Sequence, residues 1–273
     1  MDRRQFLGSS AALALATRIS PAFAATEGDA RLVSALDRQF YGELMLSPEY
    51  ATGLGLDKGP YAALKGQLGD YGAGGRETYR KFGMAARDAL NAIDPASLSP
   101  AARRNREIAL YRVEASLEPA KFGLGSAQSP YPISQQDGAY FSVPDFLANQ
   151  HTIETVADAE AYLSRLAAFP GALDAESELQ RAEAARSIVA PVWSLDLALG
   201  QIRKLRAGAA EQNGLVQSLV TRARAKGLAG DWERRAAQIV QGGVYPALDR
   251  QIAMLEQLKT TTRRGDGAWR LPE

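Results

Sequence analysis

The sequence has no cysteine and a single histidine, His151, among 273 residues. The first absence excludes disulfides and thiolate metal sites. The second excludes any scheme within this chain that needs two imidazoles. Signature loops are missing as well: no Gly-Lys-Ser or Gly-Lys-Thr cradles a phosphate, and Gly53, Gly55 and Gly59 miss the dinucleotide-binding spacing by one residue and follow no strand pattern. Neither a Gly-x-Ser-x-Gly elbow nor a Ser-x-x-Lys pair offers a serine nucleophile. Beyond the first two dozen residues no apolar run approaches the ~20 residues of a membrane helix, so no stable membrane anchor is expected. A formal net charge of +1 leaves no basic excess for nucleic acid.

What is present is globular in kind. A hydrophobic share of 46% and a charged share of 23% exclude a disordered chain, a collagen repeat and an extended coiled coil. The N-terminus pairs Arg3 and Arg4 before Phe6-Leu7, continues through an Ala-rich run and ends on an Ala-x-Ala site at Ala22 and Ala24. This is the grammar of a twin-arginine export leader, residues 1–24, and it predicts a periplasmic or extracellular protein. Its removal takes Arg3, Arg4 and Arg18 with Asp2, which turns the formal charge from +1 to −1.

Helical periodicity runs through residues 25–273, and no strand alternation competes with it. Val33, Leu36, Phe40 and Leu44 line one face of a helix over Arg31–Leu46. Further helices are expected over Tyr61–Leu68 and from the Gly72–Gly75 break towards Ile93. Ser99 caps the next one, Pro100 sits in its first turn, and Leu110, Val113 and Leu117 form its face. Thr155 and Asp158 make a capping box ahead of Ala159, Tyr162 and Leu166, and Pro170 is expected to separate that helix from its successor. Later helices carry Leu195, Leu199 and Ile202, then Leu215–Ala225. A last stripe of Val240, Val244, Leu248, Ile252 and Leu255 is bent or interrupted by Gly242, Gly243 and Pro246. The expected fold is all-α, a multi-helix array with one long Pro/Gly/aromatic-rich loop over 119–152. That loop is a candidate divider between lobes 25–118 and 153–273.

A loop of that length inside a compact domain is usually functional. Its Tyr131–Leu147 run joins aromatic faces, amides and hydroxyls on a proline-stiffened backbone, which suits an extended polar ligand such as a peptide or, equally, a plug between helices. Candidate substrate-binding residues are Tyr131, Ser134, Gln135, Gln136, Asp137, Tyr140 and, at the end of the loop, His151. The imidazole titrates near neutrality and suits either a substrate contact or a packing role. The acids Asp174, Glu176 and Glu178, or Asp158 and Glu160, would do acid–base work only if forced together in a dry site; a solvated helix face is the plainer reading. No catalytic and no metal-ligating residue is assigned.

Ser47–Asp57, Tyr131–His151, Ala157–Leu163 and Trp269–Pro272 together resemble the N-terminal half of the exported bacterial family termed domain of unknown function 885. The family's later half carries a His-Glu pair followed by Pro-Gly-His, resembling the zinc-binding helix of metallopeptidases. The resemblance therefore implies zinc in the half that has no counterpart here, and no cofactor in this chain. It implies a truncated, non-catalytic helical half that forms one wall of a peptide-binding cleft, with a C-terminal catalytic half in trans or self-association as its partner. An apolar face for that partner is expected at Trp193, Tyr245 and Met254. The alternatives are a stand-alone periplasmic helical module that grips peptides, and a carboxylate-dependent hydrolase acting alone.

Overall fold

The computed structural model describes residues 26–125, 130–262, 265 and 271. The leader residues Arg3, Arg4, Ala22 and Ala24 lie outside this set, as do Trp269, Arg270 and Pro272. Among the described residues the fold is all-α, with ten α-helices and no strand. In chain order they are α1 (Glu27–Leu46), α2 (Pro48–Gly53), α3 (Ala73–Asn91), α4 (Pro100–Leu117), α5 (Ala139–Asn149), α6 (Val156–Ala185), α7 (Val192–Arg206), α8 (Gly214–Ala225), α9 (Trp232–Ile239) and α10 (Tyr245–Thr261).

Three apolar clusters organise them. Helices α1, α3 and α4 enclose a small one of Leu32, Ala35, Leu90, Ile93, Leu98 and Val113. Leu44, Ala51 and Leu64 form a second at α2 and the 3₁₀ turns of Gly59–Gly66. The third and largest runs from Ile133 to Leu255 and is centred on α6, whose Tyr162, Leu166, Phe169 and Leu173 are all fully buried. Burial on that scale, at ~25 cal/mol per Å² of apolar surface, makes α6 the axle of the largest cluster.

Several sequence expectations change on contact with packing. Val33 is 56% exposed, because the face of α1 that meets α3 and α4 is the one bearing Leu32 and Ala35. In place of an α-helix over Tyr61–Leu68 there are 3₁₀ turns over Gly59–Gly66. Pro170 does not divide α6, which runs unbroken for 30 residues from the Thr155–Asp158 capping box. A Cβ added at Gly243 would lie 3.0 Å from the Pro170 ring, so the proline is packed against a glycine that leaves room for it. That glycine belongs to a π-turn, Val240–Val244, which is the interruption expected between α9 and α10. The stretch 119–152 is not one loop: residues 118–122 form 3₁₀ turns and 139–149 form α5, with Pro144 inside it. Tyr245 and Met254 are buried at 1% and 5% exposure, since the stripe of α10 packs on α6 and α7; of the three residues expected on an open apolar face, only Trp193 is exposed, at 49%.

Candidate functional site

Helix α6 carries polar side chains at core-facing positions, and they determine how the surrounding segments are held. Arg165 is fully buried. Its Nε donates to the Gln67 carbonyl at 2.7 Å. Its Nη2 reaches the carbonyls of Pro48 and Leu64 and the Thr52 hydroxyl at 3.2, 3.0 and 2.7 Å. Its Nη1 meets His151 Nδ1 at 2.8 Å, and the guanidinium lies 4.7 Å from the Phe146 ring centre. Burial lowers its pKa to about 10, which leaves it charged at neutral pH.

An arginine has no acceptor, so His151 Nδ1 must accept and the imidazole proton must sit on Nε2. That nitrogen donates to the Asp158 carbonyl at 3.0 Å. His151 is itself fully buried and edge-on to Tyr162. Burial, with the positive charges of Arg165, Lys65 and Arg222, lowers its pKa to about 4, so it is neutral at neutral pH. Next to it, burial opposes ionisation of Asp158, but Lys65 at 2.5 Å and the N–H groups of Glu154 and Thr155 hold its carboxyl at about 2. Arg222 donates to the Leu147 and His151 carbonyls and closes the end of α5.

Three turns further along α6 lies Glu176, 4% exposed. Both of its oxygens accept from the Ala139 N–H at 3.0 Å, which caps α5. Gly138, at φ 123°, makes the turn before it; a Cβ there would come within 3.1 Å of the carboxyl. Burial pushes the Glu176 pKa up to about 8, and Asp137 adds to the rise. Beside it is Gln251, fully buried on α10. The Ser177 hydroxyl donates to the Leu173 carbonyl, so it receives the Gln251 amide N–H at 3.3 Å. Gln251 Oε1 is then left without a donor among the described residues. The Ala139 N–H and the Gln251 side chain hydrogen-bond to the Glu176 carboxyl and oppose its rise, and burial outweighs them. Tyr71 and Tyr140 are likewise held protonated by burial, each with a nearby carboxylate.

Ser134, Gln135, Gln136, Asp137 and Tyr140 come together in one turn. Ser134 Oγ donates to Asp137 at 2.6 Å and accepts from the Gln136 N–H. The Tyr140 hydroxyl lies 2.6 Å from the Ser134 carbonyl and 2.8 Å from the Gln201 amide. Gln180 receives the Ile133 N–H, and the Gln135 side chain accepts from Ser194 at 2.5 Å. Ser134 and Tyr140 are buried, Tyr131, Gln135 and Asp137 half-buried, and Gln136 exposed. His151 stands apart, at the far end of the 11-residue α5, about 16 Å away by helix rise.

The candidate acids also part company. Asp174 pairs with Arg250 and Glu160 with Arg235 at the surface, Glu178 is exposed, and only Glu176 and Asp158 are buried. Sequence reasoning does not single out Arg165, Gln180 and Gln251; on α6 the 3.6-residue register with Tyr162, Phe169 and Leu173 is the signal that places Arg165 and Glu176 inward. Among the described residues no three His, Asp or Glu side chains gather into a group able to hold a metal ion. Nor is any described helix long and apolar enough to cross a membrane.

The profile described as "Bacterial protein of unknown function (DUF885)" matches residues 48–271. The chain belongs to the DUF885 family. No curated protein matches it. Among solved structures, "the putative lipoprotein from Colwellia psychrerythraea" superposes with a TM-score of 0.83 at 19% identity, covering 90% of this chain and 44% of that one. This DUF885 chain thus shares the fold of that protein and spans less than half its length.

Proposed function

We propose that this chain is the non-catalytic helical half of an exported zinc-peptidase-like protein and forms one wall of a peptide-binding cleft. The observation that carries the reading is an apolar strip on α7: Val192, Trp193 and Leu197 are 39%, 49% and 53% exposed. Residues of that kind rarely remain open in a group unless something covers them. The strip adjoins the Gln135–Ser194 contact, and α5 adds exposed Phe141 and Ser142 beyond the same loop. The wall in this reading is therefore Gln135, Gln136, Phe141 and Trp193, with Ser134, Asp137 and Tyr140 holding the turn from beneath. His151 is left as a buried strut. The leader residues Arg3, Arg4, Ala22 and Ala24 support delivery to the periplasm or beyond.

The test is reconstitution. The later half of a longer DUF885 protein, produced as a separate polypeptide, should form a one-to-one complex with this chain on size exclusion. The complex should shift the emission of Trp193, isolated by difference from Trp193→Phe, to the blue. Trp193→Ser with Leu197→Ser should abolish the complex without loss of helicity. A chain that binds no such partner and no apolar dye, or that cleaves peptides alone, overturns the reading.

A further inference from the structure

A recess opens whose lining shares no residue with the Gln135–Trp193 surface. It is lined by α3, the end of α4 and the C-terminal end of α6, with no residue of α5 or α7, and encloses about 650 Å³. That volume falls within the span of small-molecule sites. Its apolar lining includes Leu117, Leu124, Leu179 and Ala182. Three arginines and two glutamates complete it, and their pairing is uneven. Arg80 takes Glu77 through Nε and Nη2, both at 2.7 Å, leaving no net charge there. Arg76 and Arg186 share one carboxylate: their Nη1 atoms lie 2.7 and 3.2 Å from the two oxygens of Glu183, which is 5% exposed. Two guanidiniums on one carboxylate leave one positive charge in the lining.

The two arginines are also built into place. Cβ atoms added at Gly123 and Gly125 would come within 2.1 Å of the Arg186 guanidinium and 2.5 Å of that of Arg76. The backbone of Gly123–Gly125 is thus seated directly on both cations, with Leu124 between them lining the recess, and Arg186 also donates to the Gly123 carbonyl at 2.9 Å. Among the described residues, Nε and Nη2 of both arginines have no hydrogen-bond partner. A fixed cationic pair with donor edges left over, above an apolar lining, is complementary to one kind of molecule: a monoanion with a planar head and an apolar body.

We propose that this recess binds an amphiphilic carboxylate, its head on the Arg76–Arg186 pair and its tail against Leu117 and Leu179. The site is independent of the cleft reading, since it shares no residue with it. Titration calorimetry of the full chain with dodecanoate below its micellar range tests the proposal, with dodecanol and dodecylammonium as neutral and cationic controls. Dodecanoate should bind one-to-one and at least about tenfold more tightly than either control, the scale of one charge-assisted hydrogen bond. Arg186→Gln should remove that preference while Arg76 still holds Glu183. Ala182→Phe, a substitution at an exposed position of α6, should fill the recess and abolish binding with the thermal melt unchanged. No binding of dodecanoate, equal binding of all three amphiphiles, or undiminished binding to Ala182→Phe would overturn it.

Discussion

Arg165 and Glu176 lie 11 residues apart on α6, close to three full turns, so both point into the same lobe from one helix face. Around Arg165 each guanidinium nitrogen finds an acceptor, and segments from α2, the 67 region and the end of α5 meet on a single guanidinium. Around Glu176 burial outweighs the hydrogen bonds from the Ala139 N–H and the Gln251 side chain, and the carboxyl keeps its proton up to about pH 8. One cluster keeps a fixed charge and the other a neutral acid. Burial acts on both, but the partners decide which protonation state survives it.

The largest effect should come from breaking the complete cluster. Arg165→Met retains much of the packing but strands the carbonyls of Pro48, Leu64 and Gln67 and the His151 Nδ1 acceptor. A loss of about 4 kcal/mol is expected in urea unfolding, near the scale for opening a buried charged network. A loss below ~1 kcal/mol would show that the guanidinium does not join these segments.

Proton linkage separates the two clusters next. Glu176 rises from 4.5 to about 8 on folding, so the folded state holds a proton that the unfolded chain releases. Its contribution is full below pH 4.5 and is lost as pH climbs towards 8, at up to ~1.4 kcal/mol per pH unit. Glu176→Gln keeps an acceptor for the Ala139 N–H and cannot ionise. The variant should therefore lose this slope and surpass the parent at pH 8. A parent protein whose stability is flat from pH 6.5 to 8 would refute the neutral acid.

His151 has the opposite sign. Its pKa falls from 6.5 to about 4, so the unfolded state binds the extra proton and stability drops as pH is lowered through that window. Between pH 4.5 and 6.5 the two slopes oppose each other, and the parent curve should be nearly level there before falling above pH 6.5. Glu176→Gln should uncover the histidine slope as a rise from pH 4 to 6.5. Its absence in the variant would mean that His151 is not held neutral by its burial. Asp158, depressed from 3.8 to about 2, acts only at still lower pH.

Local chemistry made much of this fold readable in advance. The Ser99–Pro100 start of α4, the Thr155–Asp158 box of α6 and the glycine interruption before α10 each depend on neighbours within a few residues. The failures have distant causes. Helix α5 is hidden in a Pro/Gly-rich stretch because its first N–H is capped by Glu176, 37 residues away. Pro170 stays inside α6 and packs against Gly243 on the far side of the chain. Among the candidate site residues, the turn from Ser134 to Tyr140 does assemble, since its hydrogen bonds are short-range. The fate of His151 rested on Arg165, whose inward position follows from helix register only once α6 is known to be continuous.

The smallest test sharpens the comparison at the point where the α5 turn meets the Glu176 side of α6. Tyr140→Phe removes the hydroxyl between the Ser134 carbonyl and Gln201 and should cost about 1 kcal/mol, the ordinary value of a buried neutral hydrogen bond. Its sharper readout is amide exchange. The Ser134 and Gln136 N–H groups are held within the turn by Asp137 and Ser134, so they should exchange faster when the turn loosens. The His151 N–H, bonded to the Phe146 carbonyl at the opposite end of α5, should keep its protection because Arg165 and Arg222 hold that end. Equal acceleration at both ends would mean that α5 opens as one unit, and the two clusters on α6 would then be coupled through it rather than separately anchored.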